Sequence, residues 1–410
     1  MSSISDLPRL RALLRRPGVA PFLGGRLLAA MGIWSERIAI GWLVWERTGS
    51  TALLGLAALL KLGPAIALGP VGGVIADRIG AVGLLRATYA INAGLALVLA
   101  GFAFVLPLWA VLALTAALGC VQALAAAPIK SVVPQIVPRE DLAVAFPLSS
   151  ATFNLAAFVG PAVAGIAIAT LGLWAAFAIS ALGAAVFVAL LGRWSGTDRR
   201  EAPTGAHWLR EIGEATAFIA RDRRIGPVFA LHVAAALCLR PFVDMLPAHV
   251  ARIGTGGAAM LGFATSCFGL GAVAGAVWMA AAAMDDALLR RLLAGTVFAI
   301  ACLVLIAGDQ GAAPFLAAAT GFGAAMMIRG TATLTLLQLA APEGMRGRVS
   351  GLYSMVIRGG AAIGAALIGL AAIPLGLPGA TVAAALLCTL ALAVVWPRLR
   401  PPGPDTRSPT

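Results

Sequence analysis

The sequence predicts an all-α membrane protein whose twelve spanning helices form two six-helix halves. Three observations carry that prediction. Of 410 residues, 60% are hydrophobic and only 11% charged, with a mean hydropathy of +0.95, whereas about a quarter of the residues of a soluble domain are charged. The apolar residues come in runs close to the roughly 20 that cross a bilayer. The largest polar interruption, RWSGTDRREAPTGAHWLREIGEATAFIARDRRIG, falls midway, with six runs on each side.

Residues 1–17 form a basic N-terminal tail. They lack an apolar stretch followed by a small-residue cleavage site, which predicts a retained cytoplasmic tail and no cleaved signal peptide. Apolar runs at 18–45, 51–76, 81–104, 107–130, 141–169 and 172–193 make up the first bundle, 18–193. In the linker, 194–224, Trp208, Ile212, Ala215 and Ile219 recur at helical spacing, predicting an amphipathic helix on the membrane surface. Runs at 225–250, 257–283, 287–308, 312–340, 346–373 and 377–396 make up the second bundle, 225–397, and 398–410 is a second cytoplasmic tail.

The halves repeat weakly, as two bundles related by an axis along the membrane normal would. A displacement of 207 sets RTGSTALLGL against GTGGAAMLGF; one of 204 sets VPREDLAVAFPLSS and Gly160 against APEGMRGRVSGLYS and Gly364. The formal net charge of +13 suggests nucleic acid until the charges are placed. With the first run starting inside, the outer loops keep only Arg47 and Arg252, and nearly all other basic residues outside the runs are cytoplasmic. That asymmetry places both termini in the cytoplasm by the positive-inside rule and leaves no need for a nucleic-acid partner. Cys120, Cys238, Cys267, Cys302 and Cys388 all lie inside apolar runs, an odd count without close spacing, which argues against a disulfide framework and against a metal site.

Between the second and third runs stands Gly73-x-x-x-Asp77-Arg78-x-Gly80. Its glycines permit close helix approach and a tight turn, and its charges sit where a carboxylate can meet a helix N-terminus or a basic partner in the other bundle. The stretch resembles the loop signature of the major facilitator superfamily. The resemblance implies the major facilitator fold and a conformational latch made by Gly73, Asp77, Arg78 and Gly80. Ala81, Val82 and Gly83 replace the basic residues usual after the second glycine, leaving Arg86 as the substitute, and the second-half counterpart MDDALLRR lacks the glycines. WLVWERTGS, VPREDLAVAFPLSSATFN followed by VGPAVAG, and RGRVSGLY are similar to the bacterial branch that contains enterobactin-type siderophore exporters and transmembrane secretion effectors. Gly160-Pro161 resembles the fifth-helix motif of exporting members, with Ala164 where a second glycine often stands. A proline kink that serves packing alone accounts for it equally.

Ionisable side chains inside apolar runs cost about 2.5–3.5 kcal/mol each on insertion scales, so they face a cavity or a partner. Arg26, Arg37, Lys61, Arg240, Arg329 and Arg358 are such residues, against Glu36 and Asp244. Arg26 and Arg240 fit snorkelling or local pairing, Arg240 lying four residues before Asp244. Lys61, Arg329 and Arg358 fall mid-run and are expected to line a cavity for an anionic or strongly polar group. Arg358 occupies the repeat position of Asn154. Arg37 aligns with Asp244 in the repeat, and the pair is expected to join across the cavity when the outside is closed, in competition with Arg240–Asp244 pairing within one run. Glu36 is the first proton-coupling candidate and Asp244 the second, because desolvation and departure of a neighbouring cation let a carboxylate titrate. Many proton–drug antiporters carry an arginine in their fourth helix; here WAVLALTAALGCVQALAAAP offers Gln122 instead. Trp34, Trp42 and Phe153 would suit an apolar part of a substrate. His232 and His249 are read as packing residues or pH-sensitive groups, and His207 as a linker residue.

The chain shows no HExxH, no G-x-S-x-G and no G-x-x-x-x-G-K-[ST], which argues against a zinc hydrolase, an α/β-type hydrolase and an ATP-driven pump. The expected function is secondary active transport in the bacterial inner membrane. Export of a small amphiphilic or anionic molecule, a siderophore or a drug, by alternating access and proton coupling is expected, with no cofactor. A facilitative uniporter or importer, a channel, and a receptor or scaffold stay open. Small-xxx-small patterns such as Gly271/Gly275 and Gly360/Gly364 serve packing within a bundle as well as association between chains, so a monomer is compatible with the sequence.

Overall fold

The computed structural model describes residues 13–16, 18–138, 141–192, 208–254, 257–282, 287–309 and 311–399, and among these it is helical without a strand. The first helix, α1 (Val19–Thr48), ends at Gly49, whose left-handed φ of 56° lets its N–H reach Trp45 O at 2.7 Å. Ser50 then accepts from Leu53 N and opens α2 (Thr51–Ile79). Pro64, which has no N–H, divides α2 into Thr51–Leu62 and Pro64–Ile79. There follow α3 (Ala81–Phe102), α4 (Leu108–Ile136), α5 (Leu142–Leu171) and α6 (Leu173–Gly192). The linker helix is α7 (Trp208–Arg221). The second half consists of α8 (Ile225–Ile253), α9 (Gly257–Ala281), α10 (Leu288–Ala307) and α11 (Ala312–Ala340), then Arg346–Leu399. Gly376 (φ 68°, ψ 163°) breaks this last helix into α12 and α13.

Among the described residues, ten helices are long and apolar enough to cross a membrane. Dividing the last at Gly376 and adding α5, apolar over Leu155–Leu171, gives the twelve spans expected. Their outward sides carry the apolar belt a bilayer requires, with Leu182, Val277, Leu339 and Ile373 all well exposed.

Several boundaries differ from the sequence reading, each for a local reason. α2 continues to Ile79, so Asp77 and Arg78 lie in its last turn and Gly80, at φ 92°, makes the turn to α3 alone. α4 continues in two short turns, Pro128–Ser131 and Val133–Ile136, each begun by a proline in its first turn. α8 is interrupted at Leu239–Pro241, because Pro241 cannot donate to the helix behind it. Part of the apolar side of α7 packs on protein. Ala215 and Ile219 are buried against Ile225, Leu337, Val349 and Tyr353 of the second half, and Glu214 bridges Arg210 and Arg348.

The halves meet along two helix pairs, α5 with α9 and α2 with α12. Small residues let these backbones touch. A Cβ built on Gly165 would lie 2.4 Å from Gly262 Cα, and one on Gly55 would lie 2.4 Å from Ala365 O. Thr51 Oγ1 donates to Gly369 O at 3.0 Å. If the end at which α1 begins is called the N-face, these contacts gather in the opposite half of the molecule, the far half.

Candidate functional site

Glu36 and Arg37 are neighbours on α1, and the helical step of about 100° per residue aims them in different directions. Glu36 turns into its own half and is fully buried. Its Oε1 accepts from Lys61 Nζ of α2 and from Gln122 Nε2 of α4, the latter at 3.0 Å. Its Oε2 accepts from Ser180 Oγ of α6 at 2.8 Å and from Asn92 Nδ2 of α3 at 3.5 Å. Gln122 also donates to Asn92 Oδ1 at 2.9 Å. Five helices of the first half therefore converge on one carboxylate, with Lys61 as its counter-charge.

Arg37 turns to the other half. Its Nε and Nη2 donate to Asp244 Oδ1 at 3.0 and 2.6 Å, joining α1 to α8. The guanidinium lies 5.2 Å from the ring centroid of Trp34, one helical turn back, within cation–π range. Between the two ion pairs is a cavity of about 30 Å³ lined by Trp34, Arg37, Lys61, Asp244 and Pro247 among others. Its volume suits water rather than a substrate. Two polar atoms of its lining residues, Trp34 Nε1 and Asp244 Oδ2, are buried without a hydrogen-bond partner.

The other residues singled out from the sequence are distributed around this centre. Phe153 is partly exposed, its ring 6.4 Å from that of Trp34. Arg358 is exposed although it lies well inside α12. Arg329 is buried in the second half, away from the cavity lining. The side chain of Asn154 lies outside the described residues, as do Asp285, Asp286 and His207. Gly160 packs on α1, where an added Cβ would lie 3.0 Å from Trp34 Cβ, and the neighbouring Pro161 carbonyl faces Gly262 of α9. The Gly160–Pro161 pair thus marks the place where α5 meets both α1 and the opposite half.

In the glycine-flanked motif, Gly73 lies against Ala127 of α4, Asp77 is half-buried and Arg78 exposed. Arg86 directs Nε and Nη2 to Leu191 O, the last turn of α6, and so caps a helix of its own half. His249 meets Thr381 at 3.3 Å, and His232 stacks on Tyr353 with centroids 4.2 Å apart. All five cysteines are free thiols. Among the described residues no cluster of three His, Cys, Asp or Glu side chains forms a metal site.

Asn92 and Ser180 were missed by sequence reasoning. Asn92 is the one strongly polar side chain between Thr88 and Phe102 on α3, the same signal that drew attention to Gln122. Ser180 gives no such signal, because a serine satisfies itself on a preceding carbonyl anywhere in a helix.

Two halves joined along paired helices, with an ion pair across their divide and a second buried charge pair beside it, define a transporter of the major facilitator type. The chain belongs to the transmembrane secretion effector family, whose model matches residues 20–407. Similar proteins include the enterobactin exporter EntS of Shigella boydii serotype 4 (strain Sb227) and that of Escherichia coli O139:H28 (strain E24377A / ETEC). Each is 28% identical over 389 residues, covering 90% of this chain and 88% of the relative. Among solved structures, the nucleoside transporter NupG is similar with a TM-score of 0.73 at 12% identity, covering 94% of this chain and all of that one. A bacterial homologue of the iron transporter ferroportin, in an inward-facing state, gives 0.66 at 15% identity, covering 92% and 98%. At these identities the structural likeness bears on the fold alone.

Proposed function

We propose that this transporter exports a small amphiphilic, anionic molecule by alternating access, driven by protons entering in exchange. The observation that carries the reading is the Arg37–Asp244 bond across the two halves, set beside the buried Glu36–Lys61 pair with a water-sized cavity between them. In this reading both termini are cytoplasmic, the membrane is the bacterial inner membrane, and the two bundles are 18–193 and 225–397. The N-face is then the cytoplasmic one. The bond, together with the Gly165–Gly262 and Thr51–Gly369 contacts, closes the outer side while substrate loads from within.

Opening the outer side would part Arg37 from Asp244, and a carboxylate that loses its cation takes up a proton more readily. Return of Arg37 would expel that proton into the cavity. A water there, accepting from Trp34 Nε1 and donating to Asp244 Oδ2, would satisfy both unpartnered atoms and link Asp244 to the Lys61–Glu36 pair. On the loading side, exposed Arg358 and the ring of Phe153 offer charge and apolar surface to an amphiphilic substrate. Asp77 and Arg78 sit at the N-face end of α2, where a latch between bundles would act. The enterobactin exporters among the relatives make a catecholate siderophore the first candidate to test.

A second reading is favoured by one observation. Glu36 already accepts from four donors, as a purely structural carboxylate would, and if Asp244 likewise serves only to bind Arg37 the carrier runs as a uniporter. Proteoliposomes with an imposed pH gradient and an internal pH reporter separate the two, screened with catecholate siderophores and amphiphilic drugs, with Asp244→Asn and Glu36→Gln in parallel. Substrate-dependent proton movement supports coupling, through Asp244 or through Glu36 according to which variant abolishes it. Substrate flux without proton movement leaves the uniporter.

A further inference from the structure

The second half contains a cation that this transport reading does not use. Arg329, in the middle of α11, is 2% exposed and heads the largest fully buried side chains among the described residues. Its Nε and Nη2 are buried and make no hydrogen bond. A guanidinium keeps its proton inside proteins, and a buried charge with no compensation costs several kcal/mol. Something negative must therefore stand by it.

No described carboxylate is placed to do so. Asp244 is held by Arg37, Glu36 by Lys61, Glu214 by Arg210 and Arg348, and Asp141 by Arg16. Asp222 accepts from the backbone at the start of α8, and Asp309 lies at the turn before α11 beside Arg252. Glu46 and Asp77 belong to the first half. Among the described residues, the ionisable groups within electrostatic range of Arg329 are His232, Tyr353 and Cys388. Tyr353 donates its hydroxyl proton to Gly330 O at 3.1 Å. His232 donates from Nε2 to Tyr353 O at 3.3 Å, so its neutral ring carries a bare acceptor at Nδ1 and no negative charge. The contrast with the first half is direct: there a buried carboxylate gathers donors from four other helices, whereas here two buried donors have no acceptor within hydrogen-bond distance.

We propose that the Nε and Nη2 donors of Arg329 hold a small inorganic anion of the charge and size of chloride, as a resident counter-ion of the second bundle. The proposal is independent of the transport reading, since it concerns the integrity of one half and needs neither protons nor substrate. A carboxylate on the transported molecule is the other source of the same chemistry. The near-complete enclosure of Arg329 favours the ion, because a substrate group would have to leave the path between the halves to reach it.

The test is the thermal unfolding of the purified full-length protein, without substrate, in sodium chloride and in sodium gluconate at equal ionic strength. A saturable upward shift of the melting temperature in chloride over gluconate is expected, shared by bromide and lost in Arg329→Gln. Equal melting in the two salts would overturn the proposal, as would a chloride shift of the same size in Arg329→Gln. Should that variant fail to fold, crystals of the unaltered protein grown in bromide decide the matter. An anomalous peak within hydrogen-bond distance of Arg329 Nε and Nη2 supports the site, and no peak there overturns it.

Discussion

Arg37 and Asp244 are 207 residues apart in the chain and 2.6 Å apart in space, and theirs is the ion pair that ties α1 of the first half to α8 of the second. Both side chains are largely buried, at 17% and 6% exposure, so the bond is shielded from solvent and salt far better than a surface pair. Arg240, four residues before Asp244, lies within the break at Leu239–Pro241, and Arg37 takes the carboxylate oxygen instead.

Arg37→Gln and Asp244→Asn are each expected to weaken closure of the far half by about 2–5 kcal/mol, because either leaves a buried charge unpaired. The pair Arg37→Gln/Asp244→Asn should lose less than the two separate losses combined. Spin labels placed at the far ends of α1 and α8 report the shift as a longer inter-label distance, and additive losses would contradict direct pairing.

Glu36→Gln strands the Lys61 ammonium in a buried site and should lower the melting temperature more than any exposed substitution. Lys61→Met alone should do the same through the orphaned carboxylate. Glu36→Gln/Lys61→Met should recover most of the loss, since replacing a buried ion pair by neutral groups of similar volume is often close to neutral. Melting curves of the three variants give the comparison.

Gly165→Val and Gly262→Val place side chains where the backbones of α5 and α9 already touch. Each is expected to hold the far half apart and abolish net transport while leaving the protein folded in the membrane. A single cysteine introduced on the far end of α9 should react faster with a membrane-impermeant maleimide in either variant than in the parent.

Glu214→Ala removes one ion pair within α7, to Arg210, and one to Arg348 of α12, but Glu214 is 40% exposed. The expected change in stability is within about 1 kcal/mol. Docking of α7 rests instead on Ala215 and Ile219, so Ile219→Asp should loosen the linker and raise its susceptibility to limited proteolysis, where Glu214→Ala does not.

The spans were legible in the sequence because the hydrocarbon core imposes one length and one polarity on every crossing segment. For the same reason the charges left inside the runs stood out, and Glu36, Arg37, Lys61, Gln122 and Asp244 could be singled out before any fold was known. The repeat register even placed Arg37 opposite Asp244. What the sequence could not give was direction around each helix axis. Between Glu36 and Arg37 one residue decides which half a charge serves, and a shift of about 100° is invisible to hydropathy. Only the packing of five helices showed that Lys61, expected in the substrate path, answers Glu36, and that Asn92 and Ser180 complete the set. The far-half contacts at Gly165 and Gly262 were hidden for a related reason. A glycine in an apolar run reads the same whether it faces lipid, a neighbour in its own bundle or the opposite half, and only the tertiary structure decides which backbone approaches it.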